Sequence, residues 1–139
     1  MPDLPHRKVG IIACSGEELP EGTITRLAAL RVLHQLRPED TVTICLPLFL
    51  AGGEGDRNFA RTFPTIAVVG CEKQCAFHGT EKYSKRPAAG IVVTNLIAQQ
   101  GLDQPHGCRK PDAAGMRAVE LAANLVTDTV DELLGKTGR

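Results

Sequence analysis

Four of the five cysteines, Cys14, Cys45, Cys71 and Cys75, are the residues most able to do chemistry together. Thiolate is a soft ligand. Four thiolates build the closed tetrahedral shell of a structural zinc ion, with Zn–S distances of about 2.3 Å. The same donors suit an iron–sulfur cluster or Cu(I), and a pair of them could instead cycle between dithiol and disulfide. The plainest alternative is that each is a small buried hydrophobe. What separates these readings is where the backbone delivers each sulfur.

Four short runs rich in Val, Ile and Thr, at residues 9–14, 41–46, 65–70 and 89–95, read as strands. Such near-continuous apolar runs fit strands covered on both faces, as in a parallel sheet flanked by helices. Helical patterns alternate with them. Residues 21–37 carry Ile24, Leu27, Leu30, Leu33 and Leu36 at a spacing of three, which drifts around a helix and predicts a broad apolar face stopped by Pro38. From Asp112, a favourable cap, Val119, Ala122, Ala123, Val126, Val130 and Leu133 form one stripe of a final helix. Short helices are predicted near Asp56 and near Cys71, and residues 101–111 read as loop. The alternation implies right-handed crossovers and an α/β fold: a three-layer, Rossmann-like or flavodoxin-like domain with a mostly parallel four-stranded sheet, one unit over residues 1–139.

On that map Cys14 ends the first strand, Cys45 lies at the end of the second, and Cys71 follows Gly70 at the end of the third. Cys75 falls in the predicted helix start. All carboxyl ends of a parallel sheet share one edge, where α/β folds bind their ligands. Core cysteines placed only for packing would not gather at one end of three strands. A helix over residues 71–75 would stack two of the thiols on one face, about 5–6 Å apart. Four thiolates around a divalent ion leave about −2 of charge, which N–H groups of Gly70, Ser15-Gly16 and the helix start are placed to offset.

These residues also carry a resemblance. Cys14-Ser15-Gly16 after the first strand, Cys45 at the end of the second, and Gly70-Cys71-Glu72-Lys73-Gln74-Cys75 after the third are similar to the pattern of the DGC-domain family of zinc-binding proteins. The likeness covers roughly residues 9–100. It implies metal binding, with ligands at Cys14, Cys45, Cys71 and Cys75, and it implies no particular reaction. One position departs from the family's Asp-Gly-Cys motif, because Val69 stands where that motif has Asp.

Other candidates are weaker. Cys108, in His106-Gly107-Cys108, is either a replacement ligand, a reactive thiol or a plain loop residue. His78, three residues after Cys75, is either a donor near the site or a surface histidine, and His34 and His6 carry no signal. The Gly52-Gly53-Glu54-Gly55 turn lacks both a Gly-Lys-Ser/Thr ending and a Gly-x-Gly-x-x-Gly spacing, so it reads as a loop beside the metal edge. A phosphatase-type loop at Cys14 is disfavoured, since Glu17 and Glu18 would repel a phosphate.

Composition bounds the rest. Of the 139 residues, 42% are hydrophobic and 23% charged, and 16 basic side chains balance 16 acidic ones. That balance gives no electrostatic case for nucleic acid or an anionic membrane. The apolar run 44–51, interrupted by Pro47, is far short of the ~20 residues of a membrane span. The apolar stretch after Lys8 breaks at Ser15, too soon for a secretory leader, so a cytoplasmic protein is expected. A reducing compartment favours metal or redox roles for thiols over disulfides. The expected partners are a metal ion and a protein or small ligand at the strand-end edge. A fully protein-filled shell leaves no open position for water, which disfavours hydrolysis.

Overall fold

The computed structural model describes residues 8–14, 19–44, 46–70 and 73–135. Four strands, β1 (Val9–Ala13), β2 (Thr41–Thr43), β3 (Thr65–Val69) and β4 (Ala89–Val92), form one sheet in the order β2-β1-β3-β4, and every pair is parallel. The register sets Ala13 beside Val68, so β1 and β3 end level with each other. β2 lies on one side of β1 and β3 on the other. The chain therefore reverses its winding at β1, and the crevice between the carboxyl ends of β1 and β3 is the switch point where such sheets bind ligands.

Alternation along the strands sends side chains to two faces. Val9, Ile11, Ile66 and Val68 face α1 (Pro20–Arg31), α6 (Val93–Gln100) and α7 (Ala113–Leu133). Ile12 and Val69 face the other way, into a smaller cluster with Phe49 of α2 (Leu46–Ala51) and Ala76 of α5 (Cys75–Tyr83). Two single-turn helices, α3 (Glu54–Arg57) and α4 (Phe59–Thr62), complete that side. Gly10 is needed there, because a Cβ on it would stand 2.5 Å from Cε1 of Phe59. The three layers match the expected architecture.

Three sequence expectations are corrected. Ile44 and Leu46, and Val93 to Asn95, leave their strands: α2 begins at Leu46 and α6 at Val93. Apolar runs of this length do not distinguish a strand from a buried helix start. The helix after β1 buries Ala28, Ala29 and Val32 along with Ile24, while Leu27, Leu33 and Leu36 pack only partly buried on the core and Leu30 is exposed. Small alanines win this face because they let α1 approach Ala118, Ala122 and Ala123 of α7 closely. The helix continues through one π turn, Val32–Leu36, and stops at Arg37 before Pro38. α7 starts as predicted: the Asp112 carboxylate accepts from the Gly115 N–H at 2.8 Å, and the Val119-to-Val130 stripe is buried.

Arg37 fixes the far end of this pair of helices. Its Nε and Nη2 donate to the two carboxylate oxygens of Asp131, each at 2.8 Å. That bond, more than any other influence, makes the guanidinium hold its proton more tightly than usual. Among the described residues no helix is long and apolar enough to cross a membrane.

Candidate metal centre

Cys14 follows β1 directly. Its N–H donates to Val68 O at 2.9 Å, which continues the β1–β3 ladder one step past the strand. Its carbonyl accepts the hydroxyl of Thr25, from the first turns of α1. Its half-buried side chain packs on the cluster of Ile12, Phe49, Val69 and Ala76. Both backbone polar groups of Cys14 are thus held, and its sulfur lies on the α2/α5 side of the sheet edge.

Cys75 is the first residue of α5 and is exposed. The expected helix over residues 71–75 does not form. Lys73 lies in a turn and Gln74 adopts a left-handed conformation, φ 51° and ψ 47°, so α5 starts only at Cys75. Gln74 is the sole described residue other than glycine with positive φ. The reason is directional: a chain leaving β3 must turn back within a few residues to lay α5 on the sheet, and a left-handed residue makes that corner. α5 therefore has no helical turn ahead of Cys75.

Cys45 and Cys71 lie outside the described residues. Ile44, Leu46 and Gly70 do not. Ile44 and Leu46 pack on the Ile12/Phe49/Val69/Ala76 cluster, and Val69 and Ala76 belong to it. The cluster that holds Cys14 therefore also anchors the chain on both sides of Cys45, just ahead of Gly70-Cys71 and just after Cys75. Among the described residues no three His, Cys, Asp or Glu side chains converge as a metal shell, and the described half of the expected set is Cys14 and Cys75.

Gly70 shows how tightly this edge is built. A Cβ there would stand 3.0 Å from the carbonyl carbon of Glu21 and 3.0 Å from the Gly22 nitrogen, so the first turn of α1 rests on the end of β3. The Gly70 carbonyl accepts from Thr94 N at 3.3 Å. The N–H groups of the first turn of α5 lie at this edge and carry the partial positive charge that thiolates need, whereas in α1 Gly22 and Thr23 donate to the Leu19 carbonyl.

The loop between α6 and α7 closes over the same turn of α1. Thr23 donates its hydroxyl to the Cys108 carbonyl, and Gln104 Nε2 donates to Oε1 of the buried Glu21 at 3.1 Å. Cys108 is half-buried there. It is thus a thiol of the strand-end side and not of a remote loop. His78 is exposed, with its ring edge-on to Phe77 at 6.0 Å between centroids. His34 is exposed on the π turn, and His6 lies outside the described residues.

Sequence reading missed Thr23, Thr25, Glu21 and Gln104. Thr23 and Thr25 are fully buried, and a buried hydroxyl must find an acceptor. The alternation of Thr23 and Thr25 around Ile24 at the helix start was the available signal.

A family model of the DGC domain matches residues 10–119, most of the chain and all four expected ligand positions. No curated protein and no solved structure matches the sequence.

Proposed function

The chain belongs to the DGC domain family, and from that membership we propose that it binds one thiolate-preferring metal ion, zinc first, through Cys14, Cys45, Cys71 and Cys75. The carrying observation is the single apolar cluster that anchors the chain beside each of the four cysteines. When bound, the ion would supply a cross-link between segments that this apolar cluster and the sheet already bring to one edge. The chain's own part is to hold the Cys14 backbone through Val68 and Thr25, and to offer the N–H groups at the start of α5 to the sulfur charge.

A filled shell suits a structural or metal-handling role in a reducing cytoplasm, with a protein or small ligand meeting the strand-end edge. The exposure of Cys75 favours a second reading, in which the same cysteines act in thiol redox or hold an iron–sulfur cluster. Metal analysis of protein purified without added metal separates the two. The zinc reading expects about one zinc per chain and its loss in Cys14→Ser, Cys45→Ser, Cys71→Ser and Cys75→Ser alike, with Cys108→Ser unchanged. Iron with a visible absorption band favours the cluster. A metal content that is the same in all five variants overturns metal binding by this set.

A further inference from the structure

At the opposite end of the sheet, where β3 and β4 begin, a cleft of about 400 Å³ opens between α4 and the α5–β4 connection. Its lining includes Arg61, Thr62, Thr65, Lys85 and Arg86. The chain as a whole has balanced charge, so three cations in one cleft are a local departure. The acidic contact of this cleft is distant: Glu81 Oε2 lies 3.9 Å from Arg86 Nη1, with both side chains well exposed. Such a pair is largely screened by water, and the cleft keeps a net positive balance.

The cleft is held in shape. Arg61 Nε donates to the Ser84 carbonyl at 3.2 Å, and the Ser84 hydroxyl accepts from Ala60 N at 3.1 Å, so both walls are tied through one residue. Arg61 spends one N–H on this tie and keeps its terminal nitrogens for a ligand. Pro64 and Pro87, just ahead of β3 and β4, fix the backbone at the rim. The Arg86 guanidinium lies 5.9 Å from the Phe77 ring, a cation–π distance that limits its wandering.

We propose that this cleft is a binding site for a small phosphate-bearing molecule, separate from the cysteine edge. Two guanidinium groups offer paired N–H donors that match phosphate oxygens, and Lys85 adds a point charge. Thr62 and Thr65 complete the polar lining, the Thr65 hydroxyl donating to the Phe63 carbonyl at 2.8 Å and the Thr62 hydroxyl accepting from Asn58 Nδ2 at 3.2 Å. A concave cationic site focuses its field on an anion of more than one charge. Its volume lies within the range of small-molecule sites and is too small for a macromolecular partner.

The test uses the full chain, isotopically labelled, titrated at low salt with inorganic phosphate, pyrophosphate, glycerol 3-phosphate and succinate. Saturable shifts of the Thr62, Thr65 and Ala88 amides with the phosphates are expected. Binding of pyrophosphate alone identifies the free anion, and binding of glycerol 3-phosphate as well identifies a phosphate ester. The double variant R61A/K85A weakens binding about tenfold, while R117A, on the exposed side of α7, leaves it unchanged. K85A/R86A, which spares the Ser84 tie, gives the same loss. Succinate binding as tightly as pyrophosphate, or wild-type affinity in both double variants, overturns the proposal.

Discussion

Thr23, in the first turn of α1, donates its hydroxyl to the carbonyl of Cys108, eighty-five residues further along the chain. Two residues on, Thr25 does the same for Cys14. One helix start therefore holds the backbone of two cysteines from distant segments. Thr23→Val removes the first of these bonds from a fully buried position. A loss of about 1–2 kcal/mol is expected on chemical denaturation. The labelling rate of Cys108 by a thiol reagent should rise while that of Cys14 stays constant.

Gly70→Ala puts a methyl group against backbone atoms of Glu21 and Gly22, which cannot rotate away. The expected cost is about 1–2 kcal/mol, read as a lower denaturation midpoint at unchanged slope. Gly53→Ala is the control. Nothing lies within 4 Å of a Cβ there, and its stability should stay near the wild-type value.

Gln74→Gly relieves the left-handed corner before α5 and should leave stability unchanged or raise it by up to about 1 kcal/mol. Gln74→Val, branched at Cβ, should lower it. Thermal melts of the two variants, compared side by side, show whether this corner is held against its own preference.

The Arg37–Asp131 pair is asymmetric, with the arginine side chain 27% exposed and the aspartate 3%. Arg37→Ala strips the guanidinium from a buried carboxylate and should cost roughly 2–3 kcal/mol. Asp131→Asn leaves a guanidinium that water reaches, and should cost less, about 1–2 kcal/mol. Equal losses in denaturant would contradict this ordering.

The Gly115 N–H, with a second backbone bond from His106, holds the Asp112 carboxyl below the usual carboxylate range. A depressed acid stabilises the fold above its unfolded value, and that contribution disappears as pH falls through the folded one. Stability should therefore decline in acid as the cap is protonated. Asp112→Asn keeps the accepting oxygen without the charge. Circular dichroism unfolding curves from neutral pH downward should show a shallower acid decline in the variant.

The α/β layering and the four strands were legible because long apolar runs and a clean stripe in the last helix leave few alternatives. The placement of Cys14 at the end of β1 and of Cys75 at a helix start also followed from the sequence. The corner at Gln74 did not, since no glycine or asparagine marks it. The burial of Ala28 and Ala29 in preference to Leu30 was hidden as well, because close approach between α1 and α7 rewards small side chains that hydrophobicity alone underrates. The clasp of Thr23 on Cys108 joins segments whose meeting depends on the whole topology.

The apolar packing is divided unequally between the two sides of the sheet. The α1/α6/α7 side buries a large set running from Val9 to Val130, whereas the α2/α5 side fully buries Ile12, Phe49, Val69 and Ala76 among the described residues. The molecule should therefore come apart in stages. Amide protons of α2 to α5 would exchange with solvent well before those of α1 and α7, and a protease would enter from the thin side first. The thick side is the permanent chassis, and the thin side is the part a bound guest can tighten.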